Sequence, residues 1–179
     1  RVTVDQRGLV VLARRGDHDA FAVLARGAIA RLDAAARLIL RDSELARDAV
    51  QEALMQAWRD LPGLRDPDRF DAWLHSLLVN SCLDEARRRR RRPIEVEIGP
   101  LHEPATAADD TRHLADRDLV ERALARLDPE HRALVVLHYY LDLSLPETAE
   151  ALGVPVGTIK SRLHRALIAL RVTVVGDDN

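Results

Sequence analysis

Six residues near the C-terminal end, Thr158, Lys160, Ser161, Arg162, His164 and Arg165, lie on the polar side of a segment with helical periodicity. The apolar positions of that segment, Val156, Ile159, Leu163, Ala166, Leu167 and Leu170, recur at steps of three and four. Side chains of these types at this spacing suit one kind of chemistry. A guanidinium fork pairs with guanine edges or phosphate, and ammonium and hydroxyl groups hold phosphate. No acid occurs from residue 151 to 176, so nothing on the face repels a polyanion. A second candidate group is a polar line at helical spacing, Ser76, Asn80, Asp84, Arg87, Arg88 and Arg91, which ends in the unbroken arginine run Arg87 to Arg92. Cations at a helix C-terminus complement the macrodipole, but that effect fades within one turn. Six arginines exceed it, which leaves phosphate contact as the second use.

Covalent chemistry finds no such constellation. The histidines, His18, His75, His102, His113, His131, His138 and His164, have no ligand spacing, and neither a glycine-rich phosphate loop nor a nucleophile elbow occurs. Cys82 is the only cysteine, which excludes an intrachain disulfide and reads as a small buried hydrophobe. The expectation is no catalytic residue, no metal and no cofactor, and a chain that is not an enzyme.

The elements that must position these side chains are helical. Aromatics are 3% of the 179 residues against 47% hydrophobic residues overall, so the core must be aliphatic helix packing. Net charge is only -2, so any affinity for nucleic acid rests on local segregation of charge. Residues 69 to 92 carry seven basic residues against three acidic, residues 156 to 171 four against none, and residues 93 to 118 two against seven.

Ser144 with Glu147 forms a capping-box pattern, Gly153 stops the short helix between them, and Pro155 opens the next; together they read as a helix-turn-helix. Upstream, a short amphipathic segment around Gln6 to Arg15 ends at Gly16. Asp17 caps a long helix through Phe21, Leu24, Ile29, Leu32, Ala36 and Leu40, and Ser43 is the expected cap of the next. That third helix turns Leu45, Ala46, Ala49, Val50, Ala53, Leu54, Ala57 and Trp58 inward. Its outer face is acidic and amide-rich: Asp48, Gln51, Glu52, Met55, Gln56 and Arg59. Residues 61 to 69 carry turn signals. A fourth helix from Phe70 buries Phe70, Leu74, Leu77, Leu78 and Cys82. Residues 93 to 112 combine prolines and acids as a linker. A helix from Leu114 to Leu127 and another opened by Asp128-Pro129, carrying Ala133, Leu134, Val136, Leu137 and Tyr140, lead into the helix-turn-helix. Each unit is expected to have its own core. No run spans a membrane and no signal pattern opens the chain, so a cytoplasmic protein is expected.

The order of parts resembles the sigma-70 family of bacterial transcription initiation factors, in its two-domain extracytoplasmic-function (ECF) group. The carriers are DAVQE from Asp48 to Glu52 with Ala57, Trp58 and Arg59, then RFDAWL from Arg69 to Leu74 with Asn80 and Asp84, then VPVGTIKSRLHRA from Val154 to Ala166. The resemblance implies an all-α fold of two small helical domains, sigma region 2 (1–92) and sigma region 4 (113–179), joined by an acidic flexible linker (93–112). It implies core RNA polymerase and promoter DNA as partners, with an anti-sigma factor as inhibitor. Asp48, Gln51, Glu52 and Arg59 would face the polymerase clamp. Asn80, Asp84, Arg87, Arg88 and Arg91 would serve the minus-10 element, with Trp58 and Trp73 as candidate base-stacking platforms and Phe70, the third aromatic nearby, read as core by its place on the buried stripe. Thr158, Lys160, Ser161, Arg162, His164 and Arg165 would read the minus-35 element. Other readings are a stand-alone helix-turn-helix regulator and a helical protein-interaction adaptor.

Overall fold

Two aspartates set the first boundaries of the chain. The side chain of Asp17 accepts from the Ala20 N–H and opens α2 (His18–Leu40); that of Asp42 accepts from the N–H groups of Glu44 and Leu45 and opens α3 (Ser43–Asp60). The cap of α3 is therefore Asp42, and Ser43 is its first helical residue: a carboxylate, extended at φ -146°, reaches two amides at once. Before them, α1 (Gln6–Arg14) is followed by Gly16, whose φ of +94° lets the chain reverse. The computed structural model describes residues 5–91 and 119–176, with side chains to residue 171. The expected linker lies outside the described residues, as does the beginning of the helix that follows it.

Residues 61 to 69 are more ordered than a plain loop, with two 3-10 turns at Leu61–Gly63 and Pro67–Arg69; Leu61 and Pro67 are buried between them. They feed α4 (Phe70–Arg91), which packs against α2 and α3. Alanine-rich faces on α2 and α3 (Ala35, Ala36, Ala46, Ala49, Ala53 and Ala57, all nearly inaccessible) let the helices approach closely. Ile29, expected inside, is 47% exposed because the inward stripe of α2 passes through Leu24 and Leu32 instead.

The second unit begins with α5, helical over residues 119–125, and α6 (Pro129–Val135), whose cap Asp128 accepts from the His131 N–H. A widened turn over Val136–Tyr140 follows, closed by the Leu141 N–H donating to the Val136 carbonyl at 2.9 Å, and it rotates Tyr140 outward to 40% exposure. Then come α7 (Leu145–Leu152) and α8 (Val156–Gly176).

The two units do not keep separate cores. Ala133, Val136, Leu137, Leu141, Leu143 and Ala151 join the same apolar cluster as the buried residues of α1 to α4. Of two smaller clusters, that of Leu134, Ala149, Ile159 and Leu163 serves the second unit alone, whereas that of Leu124, Leu127 and Ala166 also takes Leu38 of α2 against it. The reason is that α6 and the turn after it are apolar on two sides: Leu134 faces the helix-turn-helix, while Ala133 of α6 and Leu137 of the turn join the core of α2 and α4. α7 lies along α4, so α4 also buries His75, Val79 and Leu83.

Polar ties cross this seam. The Arg132 guanidinium, 9% exposed, donates from Nε to the Ile39 carbonyl at 2.7 Å and from Nη1 to the Leu127 carbonyl at 2.9 Å. Arg31 reaches the Tyr140 carbonyl and the Asp142 carboxylate, and Arg69 pairs with Glu150 at 2.7 Å. His75 is 7% exposed, and its Nδ1 has no hydrogen-bond partner.

Candidate nucleic-acid interface

The helix-turn-helix is fixed by short-range chemistry. The Ser144 hydroxyl accepts from the Glu147 N–H, while the Glu147 carboxylate accepts from the Ser144 N–H at 2.9 Å and from its hydroxyl at 2.6 Å. These bonds hold the Glu147 carboxyl below the usual carboxylate range. Gly153 closes α7 in the left-handed region at φ +65°. The Thr158 N–H donates to the Pro155 carbonyl and starts α8.

α8 is anchored by Ile159, Leu163 and Ala166 against α6 and α7, which fixes its opposite side. Lys160, Ser161, His164 and Arg165 are exposed there, and Thr158 and Arg162 are half-buried at its edge. The Ser161 hydroxyl donates to the Thr158 carbonyl, and Arg165 donates from Nε to the Ser161 carbonyl at 3.4 Å, so both side chains lie along the helix. Lys160 and Arg162 make no ion pair among the described residues, which leaves their charge available to an anion. All six expected side chains thus share one rim.

In the first unit, Asn80, Asp84, Arg87, Arg88 and Arg91 are exposed along α4. Arg87 pairs with Asp84 at 3.0 Å and Arg88 with Glu85 at 3.2 Å; these are exposed local pairs that a phosphate can displace at little cost. Arg89 turns to Asp42 instead. Of the aromatic candidates, Phe70 is core at 1% exposure. Trp73 is half-buried with its ring 6.1 Å from that of Phe70. Trp58 is half-buried, its ring packed at a tilt 4.3 Å from His18 and 5.2 Å from Phe21, so part of its surface is already used. On α3, Asp48, Gln51, Glu52 and Arg59 are exposed together with Met55, at 56%. That gives a polar face with one apolar point.

Sequence reasoning missed the seam: Arg132, Arg31 with Asp142, Arg69 with Glu150, and the buried His75. A signal existed for one of them, since Arg132 stands directly before the apolar run Ala133 to Leu137. No group of His, Cys, Asp or Glu among the described residues has a metal-holding arrangement. Cys82 is inaccessible, and burial pushes its thiol up to about 12.

Residues 26–92 match the description Sigma-70 region 2, and residues 117–170 match Sigma-70, region 4. The ECF RNA polymerase sigma factor SigM of Mycobacterium tuberculosis is 40% identical over 151 residues, which cover 84% of this chain and 75% of that protein. The chain belongs to the ECF sigma factors of the sigma-70 family. Further relatives of this ECF sigma factor include SigL of Mycobacterium tuberculosis, 38% identical with 74% of this chain and 76% of that protein covered. The RNA polymerase sigma-E factor of Streptomyces coelicolor is 35% identical, covering 80% and 79%. Among solved structures, CnrH in complex with the cytosolic domain of CnrY superposes with a TM-score of 0.69 at 28% identity, covering 96% of this chain and 98% of that one. The sigma factor RpoE of Bartonella quintana, solved with the anti-sigma factor NepR, gives 0.64 at 25% identity, covering 83% and 94%. The sigma-family helical fold extends across both units.

Proposed function

We propose that this ECF sigma factor binds core RNA polymerase through the outer face of α3 and divides promoter recognition between its two units. Asp48, Gln51, Glu52 and Arg59 face the polymerase clamp. Asn80, Asp84, Arg87, Arg88 and Arg91 guide the opened minus-10 strand. Thr158, Lys160, Ser161, Arg162, His164 and Arg165 read the minus-35 duplex. The observation that carries this reading is the acid-free rim of α8, held rigidly by the capping box and by Ile159, Leu163 and Ala166, at the size and charge a major groove accepts. The work is cytoplasmic, where polymerase and promoter are. An anti-sigma factor is a further partner, supported by the Bartonella quintana relative solved with one.

The closed seam has a functional corollary. Two promoter elements separated by more than a turn of duplex lie tens of ångströms apart at roughly 3.4 Å per base pair, so α4 and α8 must separate before both are engaged. Weak DNA binding by the free chain follows, with specificity appearing when polymerase holds both units.

The test is run-off transcription with core enzyme on a cognate promoter. Arg162→Ala or Arg165→Ala should weaken minus-35 recognition by about 1 to 3 kcal/mol where a bidentate base contact is lost. Unchanged promoter selectivity in both variants would remove the base-reading assignment. Gln51→Ala with Glu52→Ala should lower core-enzyme affinity with the melting temperature unchanged.

A further inference from the structure

The described arginines of the run, Arg87 to Arg91, divide between two faces of α4. At about 100° per residue, Arg87, Arg88 and Arg91 share one side of α4, and Arg89 and Arg90 lie on the other. The second pair looks into the seam between the units. A cavity of about 330 Å³ opens there, with Leu40, Leu45 and Pro129 as apolar lining and Arg89, Arg90 and Arg132 as its cationic groups. Arg41, in the left-handed region at φ +57°, stands close enough for its charge to oppose that of Arg132, as does the charge of Arg90.

Among the described residues the charges here do not balance. Asp42 answers Arg89 at 3.2 Å while its other oxygen caps α3. Asp128 is engaged by the N–H and ring of His131. Arg90 has no carboxylate partner among the described residues, and Arg132 spends two donors on backbone carbonyls with no ion pair. Among the described residues, four cations therefore converge on two carboxylates that already hold other partners. Arg132 is buried while Arg41, Arg89 and Arg90 are exposed around it; a buried guanidinium beside like charges is costly unless an anion joins it, and guanidinium forks are built for phosphate oxygens.

We propose that this seam cavity is a binding site for a small diphosphate, its phosphates held by Arg89, Arg90 and Arg132 and any organic body resting on Leu40, Leu45 and Pro129. The volume lies at the small end of ligand sites, suited to a molecule of nucleoside-diphosphate size or less. Because Arg89 and Arg90 belong to the first unit and Arg132 and Pro129 to the second, the bound anion braces the closed arrangement. On the promoter reading given above, it restrains the factor.

The test uses the full chain without polymerase or DNA, so its result is independent of that reading. Pyrophosphate and ADP are titrated by calorimetry, with melting temperature followed in parallel. Saturable binding with a rise in melting temperature is expected, weakened about tenfold in Arg90→Ala, the loss of one charge-assisted contact. Arg90 is exposed, so this variant folds even where Arg132→Met does not. Arg87→Ala, on the outer face, retains the binding. Tighter binding of ADP than of pyrophosphate assigns the apolar lining to a nucleoside; equal binding assigns the site to the diphosphate alone. Absence of binding by both probes overturns the proposal. So does an equal loss in Arg87→Ala and Arg90→Ala, which would make the run a non-specific polyanion binder.

Discussion

The seam between the units is tied by arginines at both ends, and the two ends obey different physics. At the α2–α6 end, Arg132 is buried and satisfied by two backbone carbonyls, one of them in the last turn of α2. On the α7 side, Arg69 just before α4 and Glu150 of α7 meet with side chains 49% and 67% exposed, and the pair of Arg31 on α2 with Asp142 ahead of α7 is similarly open. Water competes for the second kind of tie and is excluded from the first. The difference teaches which polar ties resist opening: the exposed ion pairs on the α7 side break at little cost and leave apolar packing of α7 on α4 to hold that side, whereas Arg132 is a buried tie on the α6 side.

The sharpest way to break this contrast is Arg132→Ala. It removes two hydrogen bonds from a charged donor and leaves the Ile39 carbonyl buried, so a loss of about 3 kcal/mol in urea unfolding is expected. A loss as small as that of an exposed pair would erase the distinction between the two ends. His75 gives an intermediate test. It lies under the seam near Asp71, Arg31 and Asp142, and burial holds its imidazole below the ordinary value of 6.5, with Arg31 adding to the effect and the two aspartates opposing it. The unfolded chain therefore binds the proton more readily than the folded one. Stability is full above the unfolded value and falls as pH drops below about 6.5. His75→Leu should flatten that part of the pH–stability curve and add about 1 kcal/mol by removing an unpartnered buried nitrogen. A slope unchanged by the substitution would place the acid sensitivity elsewhere. The smallest effect belongs to Arg69→Ala or Glu150→Ala, at most about 1 kcal/mol and reduced by added salt. A larger, salt-insensitive loss would mean that this end is as firmly closed as the other.

Local order was legible in the sequence wherever one residue type answers one local need. Asp17, Ser144 with Glu147, Gly153 and the stripe Phe70, Leu74, Leu77, Leu78 and Cys82 all stand where their spacing puts them. The polar rim of α8 followed from the same periodicity. What could not be read was the partner of each helix. α6 has two apolar sides and α4 more buried positions than one stripe accounts for, and periodicity alone does not say which neighbour covers which side. The widened turn at Val136–Tyr140 shifted the phase of that segment and moved Tyr140 outward, an offset that a 3.6-residue period does not anticipate. Ser43 lost its place as cap to the carboxylate one residue earlier, a competition that either side chain could have won.

Cys82 gives the chain a built-in clock. The lone thiol is inaccessible in the middle of α4 and held protonated by its surroundings, so alkylation must wait for the bundle to open. A cysteine introduced at the surface of the seam would react at once beside it. The rate at Cys82 would time excursions of the first unit, and the introduced site would time separation of the two, both within one wild-type core.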